Sequence, residues 1–122
     1  EIQGLFGNLS ALEQRQLLES LKLSYSLILF DCLSSENSIN QKIKSFAKEA
    51  FSIGLPIYEV VEIHKNLIDT LENQLQLEGL RFEYIGYFRL TLINIIIHLG
   101  KMYNNAVIAS KPFDTAYLSS LI

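Results

Sequence analysis

Apolar residues recur every three or four positions along most of the chain, which is the period of an α-helix with one buried face. Four such stretches stand out. In the first, over residues 11–33, Leu17, Leu18, Leu21, Tyr25, Ile28 and Cys32 share a face. Ser10, followed three residues later by Glu13, has the form of a capping box in which each side chain satisfies the other residue's backbone N–H. The polar run Ser34-Ser35-Glu36-Asn37 breaks the pattern. A second helix is expected from Ser38, burying Ile39, Ile43, Phe46, Ala47, Ala50 and Phe51, with Lys42, Lys44, Lys48 and Glu49 toward water. Gly54 stops it, and Pro56 suits the first position of a third helix that runs to about Glu78. There Val60, Ile63, His64, Leu67, Leu71 and Leu75 keep the period, and Gly79 is the expected stop.

The fourth stretch, residues 82–107, is the most apolar. Ile85, Phe88, Leu92, Ile95, Ile96, Leu99, Met102 and Tyr103 make one broad face, and Leu90, Ile93 and Ile97 are apolar off that face. A helix that is apolar nearly all round is buried on more than one side. One side is therefore expected to face the bundle and the other a second subunit. Helices of this length joined by short loops imply an all-α four-helix bundle with antiparallel neighbours.

Composition agrees with helices and adds one puzzle. The 122 residues make one domain at most, with only six glycines and two prolines to break helices. Hydrophobic residues make up 49% and charged residues 19%, where soluble proteins usually carry about 25% charged. That is a great deal of apolar surface for a small chain, and it points to burial against a partner. The net charge of −3, with no basic block, argues against nucleic-acid binding. The longest apolar run is about ten residues around 90–99, too short for the roughly 20 a membrane span needs. With no basic, apolar leader at its start, the chain is expected to be cytoplasmic, a processed chain or a piece of a longer protein.

Catalytic chemistry is hard to find. No Gly-rich phosphate loop occurs, and Glu62-Ile63-His64 lacks the second histidine of a zinc-protease helix. His64 and His98 lie on different expected helices without a clear third ligand, so no metal or other cofactor is expected. A hydrolase or metal protein using both histidines is the remaining enzymatic reading. Cys32 has no adjacent basic group to activate it and reads as a small buried residue. Arg89 sits among Phe88, Leu90 and Leu92, where it needs a carboxylate or carbonyl partner; it holds a dimer or clasps an acidic tail.

Several runs resemble a known family. Val61-Glu62-Ile63-His64, Leu67-Ile68-Asp69, Gln74-Leu75 and Leu77-Glu78-Gly79 follow one another without a gap. Ten residues on come Arg89-Leu90-Thr91-Leu92-Ile93, then His98-Leu99 and Met102-Tyr103. Leu21-Lys22, Tyr25, Ile28 and Asn40-Gln41-Lys42-Ile43 belong to the same pattern upstream. Together they resemble the C-terminal domain of the KaiA family of cyanobacterial circadian clock proteins, over residues 9–107. More distantly the fold is similar to the N-terminal adaptor domain of RsbU-type phosphatases. The chain departs from the KaiA pattern at Thr70, Tyr87-Phe88, Asn94 and Asn104-Asn105, each time losing charge.

The resemblance implies a dimeric, non-enzymatic module that binds the C-terminal tail of a KaiC-like kinase and stimulates its autophosphorylation. The alternative it leaves open is an RsbU-type adaptor or sensor domain of another signalling protein. The residues it marks for partner binding or the dimer interface are Glu62, His64, Asp69, Arg89, Leu92, Ile96, His98, Met102 and Tyr103. Residues 1–8 read as a lead, 9–107 as the domain, and 108–122 as an amphipathic tail carrying Phe113, Tyr117, Leu118, Leu121 and Ile122.

Overall fold

The computed structural model describes residues 5–32, 39–77 and 83–110. It contains α1 (Ala11–Cys32), α2 (Ile39–Ser52), α3 (Ile57–Leu77) and α4 (Glu83–Ser110). The expected stop at Gly79, the polar break over 34–37 and the tail beyond Ser110 lie outside the described residues.

The start of α1 and the end of α2, both marked in the sequence, have physical closures. At the start of α1, the Ser10 N–H donates to Glu13 Oε1 at 3.0 Å and the Glu13 N–H donates to Ser10 Oγ at 3.2 Å, the reciprocal pair of a capping box. Just upstream, the Gln14 side-chain amide donates to the carbonyls of Phe6 and Leu9, and Phe6, inside the segment read as a lead, is buried. At the end of α2, Gly54 takes φ 67°, a left-handed conformation that costs glycine little. Its N–H donates to Phe51 O at 3.0 Å, and the Leu55 N–H donates to Ala50 O at 2.9 Å. Those two bonds, with Leu55 and Ala50 both fully buried, form a Schellman motif. The fourth helix runs three residues further than the periodicity suggested, to Ser110.

The helices run up, down, up and down. Asp31 of α1 forms an ion pair with Lys42 of α2, while Ile28 meets Phe46 nearer the middle, so these two are antiparallel. Between α1 and α3 the numbers rise together, from Tyr25 against His64 to Phe30 beside Leu71, so that pair is parallel. Every pair of helices touches except α2 and α3. The bundle is therefore flattened, with α1 and α4 across its short diagonal and α2 and α3 at the far corners. Each helix on the short diagonal packs against three others and must be apolar over most of its circumference.

The core follows from this arrangement. Tyr25, Leu21 and Leu29 of α1, Phe46 of α2, Ile63 of α3 and Phe88, Ile95 and Leu99 of α4 are essentially removed from water. Tyr25 packs edge-on against Phe46, with ring centroids 5.4 Å apart and planes at 78°. Tyr103 leans on Phe51 and donates its hydroxyl to Leu55 O at 2.6 Å, which ties α4 to the corner between α2 and α3. Among the described residues, two apolar stripes stand out in water. Leu90, Ile93 and Ile97 are exposed on α4, as expected for a second apolar side, and Leu23, Leu27 and Phe30 are exposed on the outer face of α1.

Removing Phe46 and removing Phe30 should have very different effects. Phe46→Ala is expected to cost about 3–5 kcal/mol in denaturant unfolding, whereas Phe30→Ala should cost under ~1 kcal/mol.

Candidate partner groove between α3 and α4

Between antiparallel α3 and α4 lies a groove of about 640 Å³. Val61, Ile68 and Ile85 give it an apolar floor, Gly86 keeps one wall low, and His64, Lys65, Asp69, Glu72 and Arg89 line it with polar groups. A Cβ placed on Gly86 would meet nothing within 4 Å, so packing inside the chain does not require a glycine there.

His64 joins this groove to the core. Its Nδ1 lies 2.6 Å from the Tyr25 hydroxyl, and the two rings meet edge-on at 5.7 Å. Burial pushes the Tyr25 hydroxyl well above its ordinary pKa, so it keeps its proton. Burial first, and the nearby Arg89 charge second, hold His64 below the usual imidazole range. A neutral imidazole accepting from Tyr25 carries its own proton on Nε2.

The structure brings His64, Asp69 and Arg89 to one place. Arg89 lines the groove although its sequence neighbours are apolar. It is exposed, and no ion pair or hydrogen bond holds it among the described residues, because α4 turns that position toward the groove instead of the core. Glu62 is exposed on α3 outside the groove lining. Leu92 and Met102 pack against the core, Tyr103 is held by Leu55, and Ile96 and His98 are half-buried. His98 is about 13 Å further along α4 than Arg89 at 1.5 Å per residue. No group of three or more His, Cys, Asp or Glu among the described residues is arranged to hold a metal. No helix among them is long and apolar enough to cross a membrane.

Cys32 is half-buried, and burial pushes its thiol up. Its Sγ lies 3.0 Å from Thr91 Oγ1, and the Thr91 hydroxyl already donates to Tyr87 O at 3.1 Å, which leaves the thiol as donor. Lys65, Glu72, Ile85 and Gly86 were not singled out from the sequence as site residues. The visible signal was the i, i+4, i+7 spacing of Lys65, Asp69 and Glu72, which puts all three on one helix edge.

The family model for the KaiA C-terminal domain matches residues 1–110. The chain belongs to the KaiA C-terminal domain family. It is 35% identical over 113 residues to the circadian clock oscillator protein KaiA of Synechocystis sp. PCC 6803, covering 92% of this chain and 38% of that protein. The KaiA of Parasynechococcus marenigrum is 39% identical over 108 residues, with 36% of its length matched. The chain thus spans a little over a third of these relatives. A shorter KaiA, from Nostoc sp. PCC 7120, is 38% identical over 95 residues and is matched over 93% of its length. The crystal structure of the C-terminal domain of Thermosynechococcus elongatus KaiA superposes with a TM-score of 0.65 at 32% identity, covering 82% of this chain and 94% of that one. KaiA-like sequence and four-helix fold therefore coincide over the same residues.

The Tyr25–His64 pair supports two measurements. Tyr25→Phe leaves a buried ring nitrogen without its partner and should cost about 1–3 kcal/mol. The second is a pH profile. In the unfolded chain His64 titrates near its ordinary value of about 6.5, while in the folded protein it titrates lower. The folded state then binds fewer protons in that range, so this contribution to stability is complete above about pH 6.5 and declines as pH falls through it. The urea midpoint should fall on acidification below that value. His64→Gln, which keeps an acceptor for Tyr25 but cannot titrate, should flatten the decline.

Proposed function

We propose that this chain is a dimeric regulatory module of a circadian clock, which captures the C-terminal tail of a KaiC-like kinase and stimulates its autophosphorylation. Membership of the KaiA C-terminal domain family supports the clock assignment. The observation that carries the binding role is the α3–α4 groove, with an apolar floor and four exposed or half-exposed charged residues along its sides. The module acts by binding rather than catalysis, in keeping with the clock-oscillator name its relatives carry. A cytoplasmic location fits that role.

The outer face of α4 supports self-association. Leu90, Ile93 and Ile97 stand at three- and four-residue spacing with about half their surface in water. Gly86 and Gly100 lie on the same helix, and a Cβ at either would meet nothing within 4 Å among the described residues. Small residues beside an apolar stripe let a second helix approach closely. A two-fold dimer would join the same face of both copies and set the two grooves at its borders. The kinase is stimulated through differential binding: a groove that holds one conformation of the tail shifts the kinase toward the state in which that conformation prevails.

Sedimentation is expected to give a dimer at micromolar concentration, and Ile93→Glu should give a folded monomer. Gly100→Ala tests the close approach. Alone in water it would strengthen the helix by about 0.8–1 kcal/mol, but against a second helix it should weaken the dimer. A KaiC C-terminal peptide should bind the wild-type chain, and full-length KaiC should gain phosphate faster in its presence. A wild-type monomer, or a chain that retains a switch kinase and ignores KaiC, would contradict this reading.

A further inference from the structure

The groove has a charge pattern of its own. Lys65, Asp69 and Glu72 stand in one row on α3. Lys65 adjoins His64, on which the Arg89 charge acts, so the two cations share the end of the groove nearest Tyr25. Asp69 and Glu72 lie about 6 and 10 Å further along α3, toward its connection with α4. Between the two ends lie Ile68 and Ile85, with the low wall at Gly86. Lys65 and Asp69 have the i, i+4 spacing at which ion pairs commonly form along a helix, yet no ion pair joins them. Among the described residues, none of these four charged groups has an ion-pair or hydrogen-bond partner within the chain.

We propose that this groove selects a dipolar peptide segment. An acidic residue of the segment faces Lys65 and Arg89, a basic residue about 10 Å away faces Asp69 and Glu72, and an apolar anchor between them rests on Ile68 and Ile85. The inference rests on the reading of the groove as the partner site, but it does not depend on which protein supplies the segment. A segment of uniform charge satisfies one end and is repelled at the other. A dipolar segment satisfies both, in one direction only, because the reverse threading sets like charges together. Charges on open ground of this kind add little raw affinity; they decide which segment binds, in which direction and how fast.

Three fluorescent synthetic peptides of equal length with a central leucine provide the test. One carries an acidic and a basic residue on either side of the leucine, the second is acidic on both sides, and the third is basic on both. The dipolar peptide should bind tightest, with the uniform ones weaker by about tenfold and the preference shrinking as salt is raised. Arg89→Glu should weaken the dipolar peptide and improve the basic one; Glu72→Lys should weaken the dipolar peptide and improve the acidic one. Lys65→Glu and Asp69→Lys, at exposed positions, repeat the switch should either variant unfold. A nitroxide beside the acidic residue of the dipolar peptide should broaden amide signals near Arg89 more than those near Glu72. Equal affinity for all three peptides, no binding of any of them, or broadening at the Glu72 end would overturn the proposal. Binding of the dipolar peptide without binding of a KaiC tail would keep this inference and defeat the clock partner alone.

Discussion

A phenol removed from water needs a hydrogen-bond acceptor, and Tyr25 is fully buried in the middle of α1. His64 provides that acceptor, on a helix 39 residues away. That bond ties α1 to α3 through the core. It sets the register of α1 against α3, and Phe46 closes on the same ring from α2. It also keeps His64 turned into the bundle, where burial first and the Arg89 charge second disfavour a third positive charge beside Lys65 and Arg89. One buried contact thus carries both the packing of three helices and the electrostatic character of the groove above them.

Features that depend on near neighbours were legible in the sequence. The capping box at Ser10 and Glu13, the left-handed stop at Gly54 and the two apolar sides of α4 each need only a few consecutive residues to specify them. The groove was legible only in part. His64, Asp69 and Arg89 stood out, but their meeting depends on how α3 and α4 lie against each other, which no local pattern encodes. Arg89 shows why. In sequence it sits among apolar neighbours, and only the rotation of α4 shows that its own position faces water. The same holds for α1, whose outer Leu23, Leu27 and Phe30 merge in the sequence with the inner face until the packing separates them.

Family membership and physical reading support each other at different scales. The match to the KaiA C-terminal domain covers residues 1–110, which takes in the described four-helix bundle. Relatives occur both as proteins in which this region is about a third of the length and as a short form that is nearly all this region. A fold used in both settings must hold its own core together, and the flattened bundle does so with α1 and α4 each bound on three sides. Its price is that the same two helices keep apolar outer surfaces.

The bond from Tyr103 to the Leu55 carbonyl has a mechanical consequence. Leu55 directly precedes the turn into α3, so the hydroxyl pins the far end of α4 to the root of α3 and acts as a fulcrum. The two groove walls then cannot slide lengthwise past each other without breaking it. Spreading the walls at their other end leaves that bond in place, so the α3–α4 pair is clamped at one end like tweezers. A guest that spreads the walls near Ile68 and Ile85 works at the far end of a long arm from that clamp.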